Sequence, residues 1–188
     1  LGIQGDLGNA EALLRDTIIP EQNRAFAARI LGRVQMDKGD TPAALASFDE
    51  AIRIAPNDSR NWTDLARLRF VLANQKGAIE AAERALQINP QDVRAIEFRG
   101  VLMRSQFGVA AALPWFERGL QISPTDIPLL EEYGLTLGES GRYRDMLKQA
   151  RIDIERAWGN RQTLSVTLIS AGGPVITSAL YSAEQKKK

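Results

Sequence analysis

The sequence predicts an all-α solenoid of helix-turn-helix repeats, on three observations. A proline recurs at Pro56, Pro90 and Pro124, closing successive segments 34 residues apart, and a fixed period of that length marks a repeat array. Each period holds two apolar faces at helical spacing, separated by a break rich in turn residues. Small residues also return at one phase of the first helix, Gly32, Ala66, Gly100 and Gly134, and at one phase of the second, Ala44, Ala78 and Ala112. A mid-helix glycine costs roughly 1 kcal/mol against alanine, so its return at a fixed place needs a packing reason. Close approach of the two helices of a pair supplies one.

Taken in order, residues 1–22 read as the second half of a truncated repeat: Gly5, Ala10 and Leu14 stand one period before Gly39, Ala44 and Phe48, and Asn9 can cap the helix that follows. The chain starts at Leu1 without methionine and without a signal-peptide pattern, which leads us to expect a piece of something longer that begins in mid-array. Three full copies follow at 25–56, 59–90 and 93–124. In the first, Ala28, Leu31, Gly32 and Gln35 share a face; Lys38-Gly39-Asp40-Thr41-Pro42 makes the turn; Ala44, Leu45, Phe48, Ala51 and Ile52 form the second face. Gly39 suits the position past a helix end, Thr41 is the expected cap, and Pro42 fits a first turn, where its missing N–H is no loss. The second copy runs through Trp62, Leu65, Ala66 and Arg69, breaks at Asn74-Gln75-Lys76-Gly77, and resumes at Ala78, Ala81, Ala82 and Ala85. The third runs through Ile96, Arg99, Gly100 and Met103, then Ala112, Phe116 and Gly119. A fourth, 127–158, carries Leu130, Tyr133, Gly134 and Leu137, a break at Ser140-Gly141, and a second helix ending near Trp158.

Residues 159–188 depart from the period. From Thr163 to Ala183 there is no charge, seven positions are Ser or Thr, and Gly172-Gly173-Pro174 interrupts the middle. An irregular fifth helix pair that caps the array is the expected structure. A strand-like arm from Ser165 to Ile169 is the alternative, and a membrane span is disfavoured because one wants about 20 mainly apolar residues.

Composition removes several functions. A net charge of +1 over 188 residues lacks the concentrated basic excess of a nucleic-acid protein. With no histidine and no cysteine, the commonest general base, the commonest zinc ligand and thiolate metal sites are all missing. Glu131 and Glu132 are helix neighbours that do not face one another, and Gly172-Gly173-Pro174 lacks the Lys and Ser/Thr of a phosphate loop. We expect no cofactor, no metal and no catalysis by this chain.

The phase of Leu31-Gly32, Ala44, Phe48, Ala51 and Pro56, of Trp62, Leu65, Ala78, Ala85 and Pro90, and of Gly100, Ala112, Phe116 and Pro124 resembles the tetratricopeptide repeat (TPR) family. Gln35, Arg69 and Met103 stand where that family usually has tyrosine. The resemblance implies a right-handed superhelix whose first helices line a concave groove for a peptide or partner helix. Tracing the phase, the groove residues are Phe26, Arg29, Arg33 and Met36; Arg60, Asp64, Arg67 and Phe70; and Arg94, Glu97 and Phe98, with Glu131, Glu132, Leu135 and Glu139 in the fourth repeat.

The groove therefore passes from an arginine-rich end to a glutamate-rich end. Arg29 and Arg33, four apart, repel by roughly 0.2–0.5 kcal/mol unless an anion sits nearby, which suggests that a partner's acidic side chain or carboxyl terminus binds there. The competing reading neutralises these arginines along their own helices, through Asp37 and Asp64. In the family's two-carboxylate clamp an asparagine occupies the place of Asp64, and a cation that of Phe98, so chaperone-tail binding is not expected. Phe26, Met36, Phe70 and Phe98 are either anchors for a partner's apolar side chains or packing between adjacent first helices, whereas Trp62, Phe48, Phe116 and Tyr133 are expected in the core. The function expected is a protein-interaction scaffold, soluble, of a bacterial cytoplasm or periplasm, able to self-associate through the array end or the uncharged tail. The alternative is a regulatory or substrate-recruiting arm of a larger glycosyl- or sulfotransferase, or a secretion or envelope-assembly protein.

Overall fold

Asp and Asn side chains set where the helices begin, because they can take the N–H groups that a first turn leaves open. Asp58 accepts from Arg60 N at 3.0 Å, Asp92 from Arg94 N at 3.0 Å, and Asp126 from Leu129 N at 3.1 Å. These three residues stand one period apart and start the first helices of successive repeats. At the second helices the caps are Asp40, accepting from Ala43 N at 3.2 Å, and Asn74, accepting from Gly77 N at 3.0 Å. Asp40 thus does the work expected of Thr41, which is the first residue of its helix, and Pro42 sits in that first turn.

The structure, a computed structural model, describes residues 8, 9, 12, 19–146 and 148. A 3-10 turn at Glu21–Asn23 leads into α1 (Arg24–Asp37), α2 (Thr41–Ile54), α3 (Ser59–Val71), α4 (Gln75–Ile88), α5 (Val93–Phe107), α6 (Val109–Ile122) and α7 (Ile127–Glu139). The fold is all-α, and no strand occurs among the described residues. No helix among them is long and apolar enough to cross a membrane. The readings made for 159–188 and for the second helix of the fourth repeat beyond residue 148 lie outside the described residues, as does most of the truncated first repeat.

The chain divides into two compact units, Leu1–Leu102 and Met103–Lys188, with the division inside α5. In the first unit, α1 packs on α2 and α3 on α4, and α3 also meets α2. Ala44, Phe48, Leu65, Ala66, Leu68, Ala78, Ala81, Ala82, Phe98 and Leu102 form one buried cluster. The alanines on α2 and α4 are what allow this closeness. At Gly32 a Cβ would stand 2.6 Å from Cε1 of Phe48, so the ring of α2 lies directly over the small residue of α1. Polar side chains lock the pairs as well. Ser47 Oγ donates to Gln35 Oε1 at 2.7 Å, joining α2 to α1 at the place where the family usually has tyrosine. Asn61 Nδ2 donates to the carbonyls of Ala51 at 3.1 Å and Ala55 at 3.0 Å, satisfying the end of α2 from within α3. Trp62 is half-buried against the core, and its Nε1 donates to the Pro56 carbonyl at 2.8 Å.

In the second unit α6 packs on α7, with Ala112, Leu113, Phe116, Leu129 and Leu137 buried. Tyr133 is half-buried, its hydroxyl donating to Glu117 at 3.2 Å. Gly134 departs from the expectation drawn from its phase: among the described residues nothing stands within 4 Å of a Cβ placed there. No aromatic ring like Phe48 covers it among those residues, so its smallness is not a response to crowding by them.

Candidate functional site

Successive first helices of the first unit are joined by ion pairs between repeats. Arg29 Nη1 on α1 donates to Asp64 Oδ2 on α3 at 3.1 Å, with the two side chains only 9% and 14% exposed. Arg67 Nη2 on α3 donates to Glu97 Oε1 on α5 at 3.0 Å, and Arg94 Nη1 on α5 donates to Glu97 Oε2 at 2.8 Å, so one buried carboxylate bridges two guanidinium groups. The second unit repeats the device by itself: Arg104 donates to Glu132 at 2.7 Å and to Thr136 Oγ1 at 2.9 Å.

This settles how the arginines are neutralised. The sequence suggested pairing along each helix, through Asp37 and Asp64. Instead Arg29 reaches 35 residues onward and Arg67 reaches 30, whereas the Arg94–Glu97 contact is intrahelical. Arg60 does not use Asp64 either. Its Nε and Nη2 fork onto Asp58 at 2.9 and 2.7 Å, and this hydrogen-bonded guanidinium holds the Asp58 carboxyl below its ordinary range. The reason is geometric: in the first unit a first-helix side chain has the next first helix beside it, and that helix offers a carboxylate already desolvated by the same packing.

Aromatic rings organise two of these guanidinium groups. Arg29 lies over Phe26 at 5.4 Å from the ring centroid and Arg67 over Phe98 at 4.9 Å, within the range of a cation–π attraction. Phe70 and Phe98 meet edge to face with centroids 5.9 Å apart. Phe98 is 3% exposed and belongs to the core cluster, so this pair packs adjacent first helices together and Phe98 presents no exposed anchor. Met36 and Phe70 are half-buried against the same core.

Of the eleven residues traced from the sequence, then, Arg29, Glu97 and Phe98 are buried framework, and Phe26, Arg33, Arg60 and Arg94 are exposed. Phe26 is 56% exposed, on the same helix as Arg33. Among the described residues Arg33 makes no ion pair of its own, but with Arg29 and Arg67 it adds to the positive field at Asp64. Burial nevertheless raises the Asp64 carboxyl above its ordinary value, outweighing the Arg29 hydrogen bond and the three guanidinium charges that pull it down.

Charge is divided between the two helices of each pair. Up to Leu102 the first helices carry eight arginines (three in α1, three in α3, two in α5) against Asp37, Asp64 and Glu97. The second helices carry Arg53, Lys76 and Arg84 against Asp49, Glu50, Glu80 and Glu83. Two of the eight turn toward second helices, Arg69 to the Gly77 carbonyl of its own pair at 3.1 Å and Arg99 back to Glu83 on α4 of the preceding pair at 3.2 Å. The remainder leave the first-helix face basic.

Residues that the sequence reading passed over are Ser59, Asn61 and Asp92. Ser59 donates to Asp92 between the starts of α3 and α5. The recurrence of Asp58, Asp92 and Asp126 at one period was the signal that could have found the caps. A cleft of about 510 Å³ lies here, lined by Asn57, Asp58, Ser59, Arg60, Ile88, Asn89 and Asp92; Asp58 and Asp92 in it are engaged in capping.

A family model described as tetratricopeptide repeat matches residues 4–59. Tetratricopeptide repeat protein 36 of Danio rerio is 26% identical over 111 residues, 52% of this chain and 59% of that protein, so the chain spans less than two thirds of the length of this curated relative. The crystal structure of the MamA protein superposes with a TM-score of 0.62 at 21% identity, covering 86% of this chain and 90% of that one. The first TPR of Spaghetti (RPAP3), solved bound to the HSP90 peptide SRMEEVD, gives 0.57 at 18% identity over 65% of this chain and 99% of that one. At such identities the structures speak for the fold alone; with the family match over residues 4–59, the repeat phase and the paired helices, the chain is similar to tetratricopeptide repeat proteins in sequence over part of its length and in fold.

Proposed function

We propose that this chain is a protein-interaction scaffold whose first-helix face, in the unit ending at Leu102, holds a peptide or partner segment with acidic character. The observation that carries the reading is the division of charge: arginine outnumbers carboxylate on the first helices and not on the second. Opposite charge on a partner speeds and selects its docking more than it tightens it, so binding on this face weakens as salt rises. Exposed Phe26, two turns before Arg33 on the same helix, adds an aromatic contact of the kind that dominates interface energetics. The structural neighbour bound to SRMEEVD supports a peptide as the class of partner. The role is binding rather than catalysis.

The test is capture of partners by the full chain, by the variant Phe26→Ala with Arg33→Glu, and by the variant Glu50→Ala with Arg53→Ala on the exposed surface of α2. The reading expects a protein lost from the first variant and retained by the second. Retention by the first with loss from the second would move the interaction to the second helices and overturn it.

A further inference from the structure

We infer that Asp64 is an internal carboxylate occupying an anion position formed by Arg29, Arg33 and Arg67, and that it thereby sets which acidic segments the first-helix face accepts. This rests on the reading above and names the residue that decides specificity at the same site.

Arg29 holds this carboxylate by a direct hydrogen bond of 3.1 Å. Arg33 stands one turn after Arg29 on α1 and Arg67 one turn after Asp64 on α3, and their charges act on the same carboxylate. Arg29 is buried, and its Nε has no hydrogen-bond partner, so its guanidinium is held inward on Asp64 and is not offered to a partner. Arg67 is steadied from two sides, by the Phe98 ring and by Glu97. A planar donor fixed in this way loses little freedom when it takes a second acceptor. Arg33 is exposed and without an ion pair among the described residues. A ligand carboxylate drawn to Arg33 and Arg67 therefore also meets Asp64, which is still 14% exposed and stands one turn before Arg67 on α3. The attraction of two guanidinium groups is opposed by one like charge at close range, so an isolated carboxylate gains little. The occupant this selects is an extended segment with several acidic side chains, which engages Arg33 and Arg67 while keeping its charge off Asp64.

The probe is fluorescein-labelled hexaglutamate, with hexalysine as the opposite-charge control, titrated against the full chain by fluorescence anisotropy. Asp64→Asn is expected to bind hexaglutamate about tenfold more tightly than the wild type, Asp64→Glu to bind like the wild type, and the gain to vanish when Arg33→Ser is added. Asp49→Asn on α2 makes the same change in net charge. An equal gain there, or no gain from Asp64→Asn, would overturn the inference. Circular dichroism checks that Asp64→Asn is folded, and Asp64→Thr replaces it if the folded fraction falls. Arg33→Glu separates the two failures. If it lowers hexaglutamate binding while Asp64→Asn does not raise it, the face is the site and Asp64 is not its gate. If it leaves binding unchanged, the first-helix face is not where acidic segments dock, and both ideas fall.

Discussion

Arg29 and Asp64 stand 35 residues apart in the chain and 3.1 Å apart in space, joining α1 to α3 with both side chains nearly withdrawn from water. The consequence is that Arg29 and Arg33, one helical turn apart and alike in sequence, have opposite roles. Arg29 belongs to the framework; Arg33 faces the solvent.

Arg29→Ala should therefore cost about 3 kcal/mol, because removing one partner of a buried pair leaves the other charge unpaired. Arg33→Ala should stay within about 0.5 kcal/mol, as surface substitutions do. Urea unfolding of both variants checks this, and equal costs would show that the Arg29 pair does not hold α1 to α3.

The pH dependence of the Asp64 contribution has a definite sign. Its carboxyl is raised above the unfolded value by burial, so the folded state binds the proton more tightly than the unfolded chain does. Stability contributed by Asp64 relative to asparagine is then greatest below the ordinary carboxylate range and falls as pH rises through the raised folded value. Comparing wild type with Asp64→Asn in urea at a series of acidic pH values should show the wild type losing ground as pH increases. A carbon-13 titration of the Asp64 carboxyl should place its midpoint above the ordinary aspartate value.

Gly32 and Gly134 share a repeat phase and should respond oppositely to alanine. At Gly32 the new methyl would stand 2.6 Å from the fully buried Phe48 ring, and overpacking of that kind costs about 1–3 kcal/mol. Adding Phe48→Leu should recover part of the loss. At Gly134 no described atom lies within 4 Å, so Gly134→Ala should raise stability by up to about 1 kcal/mol through helix propensity. Melting temperatures moving in the same direction would refute the contrast.

Ala73 adopts φ 58°, in the left-handed region, where Gly39 one period earlier has φ 81° and Gly141 two periods later has φ 75°. A side chain costs about 1–2 kcal/mol in that conformation. Ala73→Gly should therefore stabilise the α3–α4 turn despite the greater freedom of glycine in the unfolded chain, by about 0.5 kcal/mol in denaturant unfolding. Destabilisation would mean that the turn is not strained.

Much of this protein was readable without coordinates. The 34-residue period, the helix pairs, the breaks at Gly39 and Asn74, and the burial of Ala44, Phe48, Ala78 and Phe116 follow from local rules, since helical spacing, turn residues and small-residue phase act within a few residues of one another. The caps were half readable: Asp40 stood next to the residue chosen, and a carboxylate one position earlier reaches the open N–H groups better than Thr41 does.

What only the tertiary structure decided is which charges meet and which rings are covered. A guanidinium on α1 can reach along its own helix or across to the next first helix, and both choices satisfy the same sequence; the offset between neighbouring helices, set by Gly32 under Phe48 and by the alanines of α2 and α4, selects the second. The same offset closes Phe98 into the core and leaves Phe26 in water. Sequence periodicity fixes a residue's angle about its own axis, but its partner depends on how far the neighbouring helix slides along that axis, a quantity that packing alone determines.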